Sequence, residues 1–413
     1  MHIVQLLPPI EYYSPVSGGA IATVAMQHSR HLLQLGHRVT VLAPDTSDPV
    51  YDAGSFVPLK PATRQTLNFF RRRLSGLRKK IYRWDWPYYE HYLRSFRKAI
   101  KSLAAPPEVV IVHNDLVSPA HVKRAVADTR VVAWLHNEIR TDQKNALASS
   151  VAVDQFVAVS DYINSWTRDE HGFEGGKLTT VLNGVDLGAF FPERGFLTPR
   201  PLGEPLRVLF VGRLDPNKGP DLAADAVSAL RAEGLPVSLT VAGGLWFYGN
   251  EGQEADSFFR ALKQKMDAAG ANHVGYVTRA GIPALIRSHD VVCLLARSND
   301  PCPLVALEAM ASGCAVLASN RGGLPQATGG AALMVDPDDN RAIADALRSF
   351  ATCSVTLRLY KERSVQHAAA ADWSRRTLQL ERLLKIDERA AHDGAVLNHL
   401  PSSVASNSDR IAG

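Results

Sequence analysis

A strand–helix–strand pattern near the middle of the second half constrains the fold of this chain more than any other feature. Residues 291–295 and 315–318 are short apolar runs with the character of buried parallel strands, and residues 304–312 between them are predicted to form a helix. Gly313 follows that helix at the position where glycine commonly ends one. The connecting loop, residues 296–303, therefore lies at the carboxyl end of a sheet, where open α/β sheets bind ligands.

The same unit carries two carboxylates. Glu308 lies on the helix among apolar neighbours, and Asp300 lies eight residues earlier on the loop. A carboxylate on so apolar a helix is costly to bury unless it accepts hydrogen bonds. One interpretation is therefore a rim-exposed or capping glutamate, and the other is that Glu308 accepts hydrogen bonds from ligand hydroxyls. The first N–H groups of the helix, at Leu304 and Val305 directly after Pro303, suit an anion.

Strand and helix patterns alternate along the rest of the chain, which indicates an α/β fold. Residues 193–205 are rich in proline and glycine, as interdomain linkers are. The sequence thus predicts two domains, residues 1–192 and 206–371, and a disordered tail over residues 389–413. Further strands are predicted at residues 2–7, 38–43, 109–112, 131–135, 156–159, 178–182, 207–211, 239–242 and 273–277.

Two of these strands are followed by groups that suit phosphate. Gly18 and Gly19 precede a helix without forming a dinucleotide fingerprint, so they indicate either a plain turn or a close backbone approach to phosphate. Arg213 and Lys218 follow the strand at 207–211, and they are either surface cations or the fork and point charge that grip a diphosphate. Two such cations balance a diphosphate charge of about −2. We therefore expect neither a metal nor another cofactor.

The remaining composition favours a cytoplasmic protein. The four cysteines are not spaced as a zinc site or as a disulfide framework. Asp336 and Asp338 resemble a metal-binding pair, but a turn and an N-cap before a helix beginning near Asp339 explain them better. No apolar run approaches the ~20 residues that span a bilayer, and the N-terminus lacks the basic start of a signal peptide.

A basic segment covers residues 64–101. It holds twelve Lys and Arg against two acids, in a chain whose formal net charge is +5. A helical apolar repeat over residues 67–81, followed by aromatic residues, suits an anionic membrane surface or a lipid-diphosphate acceptor. The alternative is an ordinary helix docked by its apolar stripe, with a solvated basic face. No nucleic-acid motif accompanies the segment, so a nucleic-acid partner is not expected.

The central stretch, residues 298–326, resembles the signature of the retaining glycosyltransferases of family 4. The family pattern is Glu-x7-Glu-Ala-Met-Ala followed by Gly-Gly-Leu-Pro, and this chain has Asp300, Glu308 and a Gly-Gly-Leu-Pro turn from Gly322 to Pro325. It departs from the pattern at Asp300, where the family has glutamate. The family's Gly-Arg-x4-Lys-Gly pattern matches fully around Arg213. The resemblance covers about residues 1–388.

The resemblance implies a GT-B fold, in which two Rossmann-like domains face each other across a cleft and a closing segment at about 372–388 crosses back onto the first domain. It also implies a role for each matching residue. Glu308 holds ribose hydroxyls, Asp300 holds the sugar, and His136 lies against the sugar from the other domain. The diphosphate contacts are Gly18, Gly19, Arg213, Lys218 and the helix start at Pro303, Leu304 and Val305, while Tyr276, Val277 and Arg279 lie near the nucleobase.

The implied reaction is transfer of a sugar from a UDP- or GDP-sugar to a hydroxyl of a glycan or a lipid-diphosphate-linked acceptor, with retained configuration. Cell-envelope or exopolysaccharide synthesis at the inner face of the membrane is the expected setting. Two alternatives stay open: a nucleotide-sugar 2-epimerase of the same fold, and a non-catalytic subunit that binds the nucleotide sugar. Aspartate in place of glutamate at residue 300 motivates the second alternative.

Overall fold

The fold consists of two domains, each built on a parallel sheet. The computed structural model describes residues 1–60, 86–141, 143–173, 175–201, 203–244 and 253–385. The predicted basic helix at 67–81 and the predicted disordered tail lie outside these residues. The α/β class with two parallel-sheet domains facing each other across a cleft is confirmed.

In the described part of the first domain the sheet has seven strands in the order β3-β2-β1-β4-β5-β6-β7, paired in parallel throughout. Helices cover both faces, so the central strands are buried on both sides, and all five residues of β1 are buried. The strands are β1 (His2–Leu6), β2 (Arg38–Pro44), β3 (Ser55–Leu59), β4 (Val109–His113), β5 (Arg130–Leu135), β6 (Gln155–Ala158) and β7 (Leu178–Thr180).

The second domain has a six-stranded parallel sheet within the described residues, in the order β10-β9-β8-β11-β12-β13. Its order reverses between β8 and β11, and in sheets of this kind ligands bind at such a reversal. The strands are β8 (Leu206–Val211), β9 (Val237–Ala242), β10 (Asn272–Gly275), β11 (Val291–Leu294), β12 (Ala315–Ser319) and β13 (Leu333–Val335).

Helices connect the strands. Those of the first domain are α1 (Ala20–Gln34), α2 (Trp86–Lys101), α3 (Ser118–Ala125), α4 (Gln143–Ala152) and α5 (Asp161–His171). Those of the second domain are α6 (Pro220–Ala232), α7 (Gln253–Ala268), α8 (Ile282–Arg287), α9 (Leu304–Ala311), α10 (Leu324–Thr328), α11 (Asn340–Thr352) and α12 (Ser354–Ala369). A last helix, α13 (Trp373–Lys385), follows them.

The predicted strands all form, with shifts at their ends. The largest shift concerns the strand predicted at 273–277, which ends at Gly275. Gly275 has a φ of 71°, so the chain turns there, and Tyr276 and Val277 lie on the following loop. Seven elements were not predicted: the edge strand β3, where Pro58 is tolerated, and the helices α2, α3, α4, α8, α10 and α12.

The acidic turn after β13 has the predicted structure. The carboxylate of Asp339 accepts a hydrogen bond from the N–H of Ala342 at 2.9 Å, so Asp339 is the N-cap of α11. The N–H of Asp338 donates to Asp336 at 3.1 Å, and Arg321 pairs with both carboxylates. The turn and N-cap prediction is confirmed.

Helix α13 packs on the first domain, although it follows the second domain in sequence. Its Glu381 lies 2.7 Å from Nε2 of His37, and the hydroxyl of Thr377 lies 2.9 Å from Nδ1 of His28 on α1. Just before α13, Asp372 forms a parallel bridge with Val185, in the segment that leaves the first domain. The two chain crossings between the domains therefore meet at one place.

Candidate active site

A cavity of about 380 Å³ lies between the carboxyl ends of the two sheets. This volume falls within the range of about 300–1,000 Å³ for small-molecule sites. Both domains line it, and the lining includes every predicted site residue except Arg213. Those residues are Gly18, Gly19, His136, Lys218, Tyr276, Val277, Arg279, Asp300, Pro303, Leu304, Val305 and Glu308.

Lys218 and Asp300 meet in this cavity. Lys218 ends a short 3-10 helix, Pro216–Lys218, after β8, and its Nζ lies 2.5 Å from Oδ2 of Asp300 on the loop after β11. The Asp300 side chain is 11% exposed and the Lys218 side chain is 29% exposed. A ligand in the cavity can therefore reach both side chains, although most of their surface is covered by the protein.

An ion pair behind Lys218 fixes the loop that carries it. Arg297 donates to both carboxylate oxygens of Asp221, at 2.8 and 2.6 Å, and to the carbonyl of Pro216 at 2.8 Å. Gly219, with a φ of +70°, closes the loop so tightly that a Cβ there would lie 2.1 Å from the carbonyl oxygen of Leu295. Sequence reasoning missed Arg297 and Asp221, because their pairing joins two separate segments.

Arg213 does not line the cavity. Its guanidinium Nε lies 3.4 Å from Oδ2 of Asp215, and its side chain is 49% exposed. The other carboxylate oxygen of Asp215 accepts the N–H of Asn217 at 2.9 Å. The structure thus brings Lys218, but not Arg213, to the cavity wall, and the role of Arg213 on a diphosphate stays a prediction.

Glu308 is 4% exposed, so it is not the rim-exposed glutamate of the first interpretation. Its Oε1 lies 2.5 Å from Nη2 of Arg279. Arg279 is also positioned over the ring of Phe190, with 5.3 Å from Cζ to the ring centroid. Burial lowers the pKa of the Arg279 guanidinium, but the charge of Glu308 and the hydrogen bond to it raise that pKa above its usual value. The guanidinium of Arg279 is therefore charged.

The Gly-Gly-Leu-Pro turn supports the Asp300 loop from behind. Gly323 donates its N–H to the carbonyl of Asp300 at 2.7 Å, and a Cβ on Gly323 would lie 1.7 Å from the carbonyl oxygen of Pro301. Gly322 has a φ of +58°, which favours glycine. These two glycines allow the turn to contact the loop backbone directly, which holds Asp300 and the start of α9 in place.

His136 enters the cavity from the first domain, directly after β5, and is 7% exposed. Its Nε2 lies 2.9 Å from Nδ1 of the fully buried His113. Burial is the main cause that holds the pKa of His136 well below its usual value, with smaller contributions from His113 and His28. His136 is therefore a neutral imidazole at neutral pH.

The glycine turn before α1 holds a carboxylate of the chain itself. Oε1 of Glu11 accepts the N–H of Gly19 at 2.7 Å and the N–H of Ala22 at 2.8 Å. A Cβ on Gly18 would lie 2.3 Å from the carbonyl oxygen of Ser14, so this turn requires glycine for packing alone. The Gly19 N–H that was predicted to contact a diphosphate is thus bonded to Glu11, a residue that sequence reasoning missed.

Family models match both domains. The model described as Glycosyltransferase Family 4 matches residues 18–189, and the model described as Glycosyl transferases group 1 matches residues 199–369. The chain belongs to the glycosyltransferases of family 4.

The curated relatives that match this chain include glycosyltransferases. The putative glycosyltransferase YtcC of Bacillus subtilis is 26% identical over 251 residues, which cover 57% of this chain and 60% of the relative. The D-inositol 3-phosphate glycosyltransferase of Corynebacterium efficiens is 28% identical over 290 residues, covering 66% and 68%. The chain spans about three fifths of the length of the first of these relatives.

Solved structures share the fold of this family 4 member. Sucrose-phosphate synthase from Thermosynechococcus elongatus superposes with a TM-score of 0.73 and 18% identity, covering 95% of this chain and 100% of that one. Anabaena Alr3699/HepE in complex with UDP-glucose superposes with a TM-score of 0.69 and 15% identity, covering 92% of this chain and 99% of that one.

Among the helices that the structure describes, none combines the length and the apolar character that crossing a bilayer demands.

Proposed function

We propose that this family 4 glycosyltransferase moves a sugar from a nucleoside diphosphate sugar to an acceptor hydroxyl with retained configuration. The observation that carries the proposal is the composition of the interdomain cavity. One wall holds two cation–carboxylate pairs, Lys218–Asp300 and Arg279–Glu308, and the opposite domain supplies His136. A donor with an anionic end and a hydroxyl-rich end matches both kinds of group.

The anionic end of the donor suits the wall around Lys218. Leu304 and Val305, the first residues of α9, line the same cavity, and N–H groups at a helix start have no partner within the helix. A diphosphate placed there contacts an ammonium and a helix N-terminus together. Preorganised donors of this kind are worth about 3–4 kcal/mol each when the leaving diphosphate gains charge in the transition state.

A diphosphate at Lys218 also affects Asp300. The ammonium that lies 2.5 Å from Asp300 is the group that a phosphate oxygen attracts, so phosphate binding draws Lys218 away from the carboxylate. Asp300 then has oxygen atoms free to accept hydrogen bonds from sugar hydroxyls. In the same way, ribose hydroxyls compete with Arg279 for Glu308, and closure of the domains brings His136 against the sugar.

The mechanism that we propose is same-face attack. The acceptor hydroxyl approaches on the side from which the diphosphate leaves, the sugar develops oxocarbenium character, and the leaving phosphate takes the acceptor proton. The side chains of this chain bind and orient, and none of them acts as a covalent nucleophile in this proposal.

The donor class is tested by thermal unfolding of the full chain with UDP, GDP, ADP and their sugars, with Lys218→Ala measured in parallel. We expect one base to raise the unfolding temperature, because a ligand at 100 times its Kd stabilises by about 2.7 kcal/mol. The rise should be lost in the variant. Solved neighbours of the same fold in complex with UDP and UDP-glucose favour uridine as the first base to measure. No shift with any nucleotide would contradict the proposal.

Two further assays separate the alternatives. Isomerised sugar formed from the donor without an acceptor would indicate an epimerase. Binding of the donor with no sugar transfer to any acceptor that is tested would indicate a binding subunit. The retained configuration is checked by NMR of the product.

The acceptor in our proposal is a glycan or lipid-diphosphate-linked hydroxyl, used in cell-envelope or exopolysaccharide synthesis. This part of the proposal rests on the basic segment 64–101, of which the structure describes only residues 86–101, as helix α2. There Tyr92, Phe96 and Ile100 are buried in the domain, so α2 docks by its apolar stripe. A membrane contact therefore rests on the basic residues nearer its start, and flotation with anionic liposomes tests it with charge-neutral variants at Arg71, Arg72, Arg73, Lys79 and Lys80. Unchanged flotation would contradict the membrane contact.

A further inference from the structure

Two buried polar side chains outside the cavity connect to His136. Gln5 lies on β1 and His113 ends β4, and both are fully buried. Oε1 of Gln5 lies 2.9 Å from Nε2 of His113, and Nδ1 of His113 lies 2.9 Å from Nε2 of His136. Adjacent strands of the sheet thus supply a row of three hydrogen-bonded side chains that ends at the cavity.

The row has a direction, and helix α1 sets it. The amide nitrogen of Gln5 lies 3.0 Å from the carbonyl oxygen of Ala25, and a carbonyl oxygen can only accept a hydrogen bond. The NH₂ group of Gln5 therefore faces α1, and its oxygen faces His113. Because that oxygen can only accept, Nε2 of His113 must carry a proton.

His113 passes this direction on. Burial lowers its pKa to about 3, so the ring is neutral and holds a single proton, at Nε2. Its Nδ1 is then an acceptor, and Nε2 of His136 must donate to it. His136 is also neutral, and its own single proton is therefore used inside the domain.

We infer that Gln5 and His113 are positioning residues that fix His136 in the Nε2–H tautomer and present its Nδ1 to the cavity as a hydrogen-bond acceptor. The partner of that nitrogen is a hydroxyl of the bound ligand. Its identity as a sugar hydroxyl rests on the proposed function. The tautomer itself does not depend on it.

The backbone of His136 is fixed from the same side. Asn114, next to His113, has a φ of 51°, and its side-chain oxygen accepts the N–H groups of His136 at 3.1 Å and Asn137 at 3.0 Å. The left-handed region is uncommon for residues other than glycine, with asparagine among the best tolerated. Ring and main chain of His136 are thus both held by the end of β4.

An acceptor-only nitrogen selects among ligand groups. It attracts a hydroxyl, which can donate, and it does not attract an ionised phosphate, which can only accept. It also cannot give a proton to a leaving group. His136 therefore acts on the sugar and not on the diphosphate, and a donor sugar whose contacted hydroxyl is replaced by hydrogen or fluorine loses this interaction.

The tautomer is measured on the full chain by NMR with ¹⁵N-labelled histidine, because protonated and unprotonated ring nitrogens resonate far apart. The His136 signals are identified by their loss in His136→Gln. We expect a proton on Nε2 and none on Nδ1 at neutral pH. A proton on Nδ1, or on both nitrogens, would overturn the inference.

A second measurement tests the relay itself. Gln5→Met removes the acceptor for His113, so we expect His136 to lose its single tautomer and show a mixture. His28 is the internal control, since it bonds to Thr377 and not to Gln5. A His136 spectrum unchanged in Gln5→Met would refute the relay.

Activity gives the third readout. In donor analogues that lack one hydroxyl at a time, we expect one position at which the parent loses about tenfold to a hundredfold in kcat/KM and at which Gln5→Met loses far less. Equal losses in both proteins at every position would overturn the assignment of the ligand hydroxyl. If no donor is turned over at all, the proposed function fails while the tautomer result stands.

Discussion

Lys218 and Asp300 come from loops after two neighbouring strands, and their charged atoms lie 2.5 Å apart. An ammonium and a carboxylate so close offset each other's charge, so a phosphate that binds the ammonium must weaken the pair. The ligand affinities of this site therefore depend on how strongly the two residues hold each other.

Asp300→Asn tests that dependence. The substitution frees the ammonium, so we expect a nucleoside diphosphate without sugar to bind up to about fivefold tighter, because partly exposed pairs contribute about 0–1 kcal/mol. The corresponding nucleotide sugar should gain nothing, since its sugar loses the carboxylate. Calorimetric titration of both ligands checks this, with Lys218→Gln as the matched control that weakens both. Equal weakening by Asp300→Asn would assign Asp300 to the nucleotide.

Arg297→Lys tests the support behind Lys218. Lysine keeps the charge but cannot bond both oxygens of Asp221 and the carbonyl of Pro216 together. Hydrogen bonds to charged groups contribute about 1.5–3 kcal/mol, so we expect about tenfold weaker nucleotide binding with the fold retained. Lys265→Met is the control, because Lys265 lies 3.9 Å from Asp221 and its closer ion pair is with Asp225 on α6. Equal effects of the two variants would contradict the role of Arg297.

Glu11 makes stability depend on pH. Burial raises its pKa above 4.5, against the opposing effect of the hydrogen bonds from Ala22 and Gly19. The folded protein therefore binds this proton more tightly than the unfolded chain does. Its contribution to stability is full below pH 4.5 and is lost as the pH rises through the folded pKa.

We therefore expect the parent to lose stability relative to Glu11→Gln when the pH is raised from about 4 to about 7. Urea unfolding of both proteins across this range measures the difference and cancels the titration of other groups. A parent that instead gains stability over the variant would mean that the two N–H bonds outweigh burial.

Lys361 attaches helix α12 to the second sheet. Its Nζ lies 2.8 Å from Oδ1 of Asp290, whose pKa is about 2 because Arg207 and Lys361 oppose the effect of burial. Removing a buried partner costs about 3–5 kcal/mol, and Arg207 still pairs with Asp290, so we expect Lys361→Met to lose about 2–3 kcal/mol. Denaturant unfolding measures the loss. Arg358→Gln, which breaks an exposed pair on the same helix, should lose less than about 0.5 kcal/mol.

Local patterns carried most of what the sequence could predict. The strand before Asp300, the helix bearing Glu308 and its end at Gly313 follow from apolar runs and from glycine. The burial of Glu308 could not be decided from the sequence, since it depends on Arg279, which the fold brings beside it.

Side-chain pairs between distant segments, and a helix with a weak apolar pattern, account for features that the sequence did not reveal. Arg297 and Asp221 are 76 residues apart, and nothing near either residue marks the pairing. Glu11 lies in a loop without periodicity, so its bonds to the turn before α1 had no signal. Helix α12 was missed because its residues show little separation of apolar and polar faces, and Leu357 and Ala368 are its buried apolar positions.

The bridge between Val185 and Asp372 has a mechanical consequence. The chain passes between the domains twice, and both passages meet at this bridge. Two adjacent connections limit sliding of one domain along the other, but they leave the domains free to open and close about this point as about a hinge. If the domains separate, the opening between them widens in proportion to the distance from this bridge. The angle between the domains therefore sets how wide a substrate can enter the cavity.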